Sequence, residues 1–220
     1  MTDTIPVNDP AHFDAGIQAA VHVLRAGGVV LYPTDTTYAM AANALDGNAV
    51  DRVFQIKGRD YSKPIHVIVR NIEQAAQLVQ VNETARQLAA QFLPGALTLV
   101  LPLLPKSGIP PLLVAGAGTL GIRIPDHPVC AALSWALDFP ITTTSANRSG
   151  MPNTYTIESV KQQFGDEMTG IDLILDAGQL DRGGVSTVVA IEGESVTLIR
   201  EGAIPYVTIN MFLNQVERKA

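Results

Sequence analysis

Residues 27–33, GGVVLYP, limit the fold more than any other stretch of the chain. Two valines, a leucine and a tyrosine follow one another with no charged residue between them, so neither face of the segment suits water. A β-branched run of this length, opened by glycines and closed by proline, reads as a strand buried on both sides. Such a strand needs a packed layer on each face, which points to an α/β architecture. Directly after it comes TDTTYAM (34–40), placing three threonines and an aspartate where a central strand ends. Short hydroxyl side chains are poor core material, and open α/β sheets bind ligands at strand ends.

The rest of the chain alternates in part between helix and strand patterns. Asp9, Pro10 and the stripe Phe13, Ile17, Ala20, Val21 and Leu24 predict a helix over residues 10–26. A second is expected over 48–57, stopped by Gly58. Asparagines cap two more, near 72–79 and 83–92. Asp126 with Pro128 starts another, running to Leu137, and a last one lies near 157–164. Strands are expected over 65–69, 97–103, 119–125, 141–146, 186–191 and 196–200, so the end of the chain is strand-rich. The expectation is a mixed, twisted α/β (α+β) sheet flanked by helices, forming one domain over residues 1–220.

Composition removes several classes of function. The chain is 47% hydrophobic and 16% charged, which excludes disorder. Its longest apolar run, 97–104, is cut by Pro102 and too short to cross a bilayer. The first residues lack the basic and apolar regions of a signal peptide. A single cysteine, Cys130, fits a reducing cytoplasm and is expected to be a buried structural residue. A net charge of −6 argues against a general nucleic-acid binder but leaves room for a local basic pocket. GAGTLG (116–121) matches the dinucleotide fingerprint, yet it runs into an alternating strand instead of a helix, so the match is accidental. No P-loop, hydrolase elbow or zinc spacing is present, and His22 and His66 read most simply as structural or surface residues.

One constellation survives. Strand parity in TLGIRIP puts Thr119, Gly121 and Arg123 on the face opposite Ile122 and Ile124, with the glycine leaving room for a ligand. In ITTTSAN, Thr143 and Ser145 share a face. Thr34, Thr36 and Thr37 end the first strand, while Ser186 and Thr187 open a later one. Three such clusters at strand ends favour a polar site. Lys57, Arg59 and Lys63, within KGRDYSK, make a cradle for a polyphosphate. By spacing alone, Lys57 serves equally well as a complement to a helix C-terminus, with the other two as solvated charges.

The segments YPTDTTYAM, KGRDYSKP, FLPGALTLVLP, GTLGIRIPDHP, TTTSANRSG, GGVSTVV and LIREGAI, taken together and in order from about residue 20 to 204, resemble the YrdC-like threonylcarbamoyl-AMP synthases in their single-domain form. The resemblance implies a YrdC-like fold with a concave ligand groove. It implies a nucleotidyltransferase that joins L-threonine, bicarbonate and ATP into threonylcarbamoyl-AMP and pyrophosphate, for N6-threonylcarbamoyladenosine at position 37 of certain tRNAs. ATP would arrive with Mg²⁺ and need no dedicated metal cage. By motif, Thr36, Arg123, Thr143 and Ser186 would hold threonine, with Arg123 on its carboxylate. Lys57, Arg59, Lys63, Thr119, Ser145, Asn147, Asn153 and Arg200 would hold ATP, Lys57 and Arg59 being the catalytic cations. Transient contact with tRNA or a downstream threonylcarbamoyl-transferase complex also follows. The family usually has Gly-Leu at Ala39–Met40, glutamate at Val185 and proline at Glu201. A paralogous nucleotide-binding protein without this activity, or an RNA-binding module, are the alternatives.

Overall fold

The computed structural model describes residues 2–218. The strands are β1 (Asp3–Pro6), β2 (Val30–Pro33), β3 (Tyr38–Ala41), β4 (His66–Ile68), β5 (Leu97–Pro102), β6 (Thr119–Arg123), β7 (Ile141–Ser145), β8 (Leu173–Asp176), β9 (Thr187–Glu192) and β10 (Ser195–Arg200). The helices are α1 (Pro10–Arg25), α2 (Gly47–Lys57), α3 (Ile72–Ala75), α4 (Glu83–Phe92), α5 (Pro128–Ala136), α6 (Ile157–Phe164) and α7 (Tyr206–Glu217). All ten strands join one mixed sheet in the order β1-β8-β2-β3-β7-β4-β6-β5-β9-β10. No helix among the described residues is long and apolar enough to cross a membrane.

The central strand is buried on both faces, as its composition predicts. Val30 and Tyr32 of β2 face the layer formed by α1 and α5, where they meet Leu24 and Leu133. Leu31 faces the other way, into the larger core that includes Val50 and Phe54 of α2 and Phe164 of α6. β3 repeats the alternation, with Ala39 and Ala41 on the first face and Tyr38 and Met40 on the second. Three of the longer helices begin where a side chain can accept an orphan backbone N–H. Asp9 caps α1, Asp46 caps α2 and Asn82 caps α4. α2 ends at Gly58 in the left-handed conformation, at φ 56°. The cap of α5 is His127 and not Asp126: its Nδ1 accepts from the Val129 N–H at 3.2 Å.

Topology forces the sheet to curl. β8 and β9 are seven places apart in the sheet, about 34 Å along a flat sheet at roughly 4.8 Å per step. Residues 177–186 connect them, and at about 3.5 Å each they reach that distance only when nearly straight. They are not straight. Gly178 and Gly184 take positive φ, and Leu180 N–H turns aside to the Tyr155 carbonyl at 2.9 Å. The sheet ends must therefore approach each other, leaving a concave face that this strap crosses. A Cβ on Gly183 would lie 3.9 Å from the Asp35 carbonyl, at the tip of the β2–β3 hairpin.

Candidate active site

The hairpin tip explains half of the threonines. Pro33 pairs with Tyr38, so residues 34–37 form the whole turn between β2 and β3. The Thr34 hydroxyl accepts from Thr36 N–H at 3.1 Å and Thr37 N–H at 3.2 Å, and donates to the Thr37 carbonyl at 2.7 Å. Thr34 is thus the side chain that folds the turn. The turn in turn presents Thr36 and Asp35 to Arg123 of β6. Arg123 Nη1 donates to Thr36 Oγ1 at 3.0 Å, and Nη2 pairs closely with the Asp35 carboxylate.

Around this pair lies a polar cavity of about 150 Å³. That volume is well below the usual 300–1,000 Å³ of a drug-sized ligand site and suits a small amino acid. Thr36, Arg123, Thr143 and Ser186, expected at the amino acid, all line it, as do Arg59, Ser145, Asn153 and Arg200, expected at the nucleotide. Ser186 Oγ shares a hydrogen bond with Thr98 Oγ1 at 3.0 Å. Arg200 Nη2 donates to the Ser186 carbonyl at 2.9 Å and to its hydroxyl at 3.2 Å. Arg59 holds the carbonyls of Lys63 and Pro64, at 3.0 and 2.8 Å.

Charge is the decisive property. Three guanidinium groups converge on the cavity, and one carboxylate, Asp35, answers them. Arg59 and Arg200 belong to none of the ion pairs among the described residues. Burial, followed by the nearby Arg123 charge, lowers the Arg200 pKa. His66, partly buried in the same wall, is pushed down to about 4, first by burial and then by Arg200, Arg59 and Arg123. Its imidazole is therefore neutral and reports a positive potential that an anion would relieve.

The pH dependence follows with a definite sign. A folded pKa of about 4 against 6.5 unfolded means the unfolded chain binds the extra proton in that window. Stability is full above about pH 6.5 and falls by roughly 2–3 kcal/mol as pH drops towards 4. Denaturant melts across this range should show the loss, and His66→Gln should remove most of it. In NMR titrations, pyrophosphate should raise the His66 pKa, whereas an unchanged value would mean the anion binds elsewhere.

Four expected nucleotide contacts lie outside the cavity lining: Lys57, Lys63, Thr119 and Asn147. Lys57 is turned away from the cavity. It is only 2% exposed, and its ammonium donates to the carbonyls of Ser145 and, at 2.7 Å, Asn147. Burial, and then Arg59, lower its pKa to about 7. Sequence shows a lysine at a helix end; it does not show that the end of β7 brings the Ser145 and Asn147 carbonyls across to it. Asn147 is likewise a buried organiser, accepting from Ser145 Oγ and donating to the Met151 carbonyl at 2.7 Å. Lys63 is exposed, and Thr119 sits partly buried at the start of β6.

Gly121 does not leave room for a ligand. An added Cβ would come within 3.0 Å of three His66 ring atoms, so the glycine makes space for the imidazole. Gly121→Val should displace His66 and cost about 1–3 kcal/mol of stability, measured by denaturant melts. An unaltered midpoint would show the ring is not packed there. Cys130 matches its expected role: it is buried, its Sγ contacts the Pro33 carbonyl at 3.4 Å, and burial raises its thiol pKa.

Asp35, His66 and Thr98 are site residues that sequence reasoning missed. Asp35 sat inside the quoted motif without a role. His66 is set directly opposite Thr143 by the β4–β7 register, which periodicity cannot supply. Thr98 is a lone hydroxyl in an apolar strand. Among the departures, Ala39 and Val185 line the cavity, and the Glu201 carboxylate accepts from Tyr206 N–H at 2.7 Å at the start of α7.

Comparison with known proteins gives the family. The Sua5/YciO/YrdC family model, described as telomere recombination, matches residues 22–202. The chain belongs to this family. Sua5/YciO/YrdC relatives include the threonylcarbamoyl-AMP synthase of Bacillus subtilis, 37% identical over 205 residues, covering 93% of this chain and 57% of that one. The structure of Pyrococcus abyssi Sua5 complexed with L-threonine superposes with a TM-score of 0.87 at 32% identity, covering 96% of this chain and 60% of that chain. Escherichia coli YciO superposes at 0.82 and 26% identity, covering 95% and 99%. This chain thus spans about three fifths of the B. subtilis and P. abyssi proteins, and almost all of YciO.

Proposed function

We propose that this chain is an L-threonylcarbamoyladenylate synthase, built as a single YrdC-like domain. The observation that carries the reading is the amino-acid-sized cavity walled by hydroxyls and three guanidiniums, of which only Arg123 is paired with a carboxylate, Asp35. In the first step, threonine's unprotonated amine attacks the carbon of bicarbonate, releasing water and leaving a carbamate. A carbamate oxygen then attacks the α-phosphorus of ATP, and pyrophosphate departs with the electrons of the broken P–O bond. No side-chain nucleophile is required; positioning and neutralisation of phosphate charge suffice.

Thr36, Thr143, Ser186 and Arg123 are proposed to seat threonine. Arg59 and Arg200, with Ser145 and Asn153, are proposed to meet ATP, and Arg59 to neutralise the transferring phosphate. ATP is larger than the cavity, so Lys63 and Thr119 are proposed for the part of the nucleotide that extends past it. Lys57 and Asn147 position Ser145 and the loop after it. Mg²⁺ enters with the triphosphate; no group of three or more His, Cys, Asp or Glu among the described residues is placed to hold a metal. The product would serve threonylcarbamoylation of adenosine 37 in tRNA, by transient contact with tRNA or a transferase complex.

The departures at Val185 and Glu201 leave one second reading, a nucleotide-binding paralogue without synthase activity. Pyrophosphate release separates the two. Release that requires ATP, L-threonine and bicarbonate together supports the synthase. ATP binding without turnover supports the paralogue, and salt-sensitive tRNA binding without either would support an RNA-binding module.

A further inference from the structure

We infer that Asp35 is the resident counter-ion of Arg123, and that the carboxylate of the amino-acid substrate binds by taking its place. This rests on the proposed seating of a carboxylate at Arg123, and its test is chosen to fail separately from that reading. Asp35 occupies the guanidinium: its carboxylate pairs with Nη2, and the side chains of Asp35 and Arg123 are only 12% and 7% exposed. Thr36 takes Nη1. The remaining nitrogen, Nε, is buried and has no acceptor at all. One N–H of each terminal nitrogen is thus taken and the third nitrogen is shut from solvent. A second carboxylate reaches the Nη2 N–H that Asp35 holds only if Asp35 lets go.

Release of Asp35 is mechanically simple. The turn that carries it is held by the Thr34 hydroxyl and by Thr34 N–H on the Thr37 carbonyl at 3.1 Å, not by Asp35. The second Asp35 oxygen has an alternative partner outside the cavity, the Asp126 N–H at 3.2 Å, which retains the side chain when Arg123 turns to the ligand. One anion replaces another at Arg123, and Arg59 and Arg200 stay unpaired for the phosphates. A substrate without a carboxylate cannot displace Asp35, so the exchange selects amino acids over amines and amides. It also weakens affinity for the correct ligand, because every binding event must break an existing ion pair.

The test is calorimetric titration of L-threonine, L-threoninamide and acetate into the wild-type protein and Asp35→Asn, with Asp35→Ser as a second neutral variant. The exchange predicts that both variants bind threonine and acetate on the order of tenfold more tightly than wild type, with threoninamide changed little. The variants should be less stable when empty, and threonine should raise their melting temperature more than it raises that of wild type. Equal or weaker binding of both carboxylates by folded variants would overturn the proposal and make Asp35 an organiser of the site. If threonine binds to none of the proteins while acetate still binds the variants more tightly, the exchange stands and the assignment of threonine falls.

Discussion

Arg123→Ala is expected to weaken L-threonine binding by roughly 30- to 3,000-fold while leaving the affinity for a non-hydrolysable ATP analogue nearly unchanged. The guanidinium is fixed by its strand: Ile122 of β6 is fully buried, which holds Arg123 on the opposite, polar face. Truncating one partner of a desolvated charge pair costs about 2–5 kcal/mol, which converts to that range of affinity. Here a second effect adds to it. Without Arg123, the Asp35 carboxylate remains beside the cavity without its ion-pair partner and repels the carboxylate of the ligand. Arg123→Lys should restore part of the loss, because lysine supplies the charge without the planar fork. Calorimetry with each ligand separates the outcomes. Equal loss of threonine and nucleotide would mean Arg123 faces the phosphates.

Lys57 should behave in the opposite way, as a stability residue. Lys57→Met keeps most of the volume but removes the ammonium from the Asn147 carbonyl and leaves the Ser145 carbonyl only the Asn147 N–H, at 2.9 Å. An unsatisfied buried acceptor costs about 1–3 kcal/mol, and relief from burying the ammonium offsets part of that. A net loss of about 1–2 kcal/mol is expected, lowering the melting temperature by roughly 2–8 °C. The pH dependence gives a second check. A folded pKa of about 7, below the unfolded 10.5, means the unfolded chain binds more protons between these values. The wild type should therefore gain stability as pH rises from 7 towards 10, and Lys57→Met should not. A variant with an unchanged melting temperature but no ATP binding would return Lys57 to the phosphates.

These two residues mark how far the sequence reaches. Parity within one strand is a local property, so Arg123 could be placed opposite Ile122, and Thr143 beside Ser145, before any coordinates. The helices with strong caps were equally legible, from Asp9 for α1 to Asn82 for α4. What failed was short or non-local. β1 and β8 have four residues each, too few to show a period, and β3 was hidden behind the threonines of its own turn. α7 went unseen because its start, Pro205, donates no side-chain cap, and its sequence is rich in β-branched and aromatic residues. The surroundings of Lys57 and His66 were not legible because their neighbours come from β7, some 80 residues later. Register and burial decide whether a charged side chain meets a ligand or a carbonyl, and neither is written in local spacing.

The central claim is that this cavity joins a carbamate of threonine to the α-phosphate of ATP. The most direct measurement is to supply ¹³C-bicarbonate with L-threonine and ATP and to analyse the nucleotide products by mass spectrometry. The account predicts labelled threonylcarbamoyl-AMP in amounts matching the pyrophosphate released, absent when threonine is omitted and lost in Arg123→Ala. Pyrophosphate or AMP formed without labelled carbon in the adenylate, or no turnover by a folded protein that binds both ligands, would contradict it.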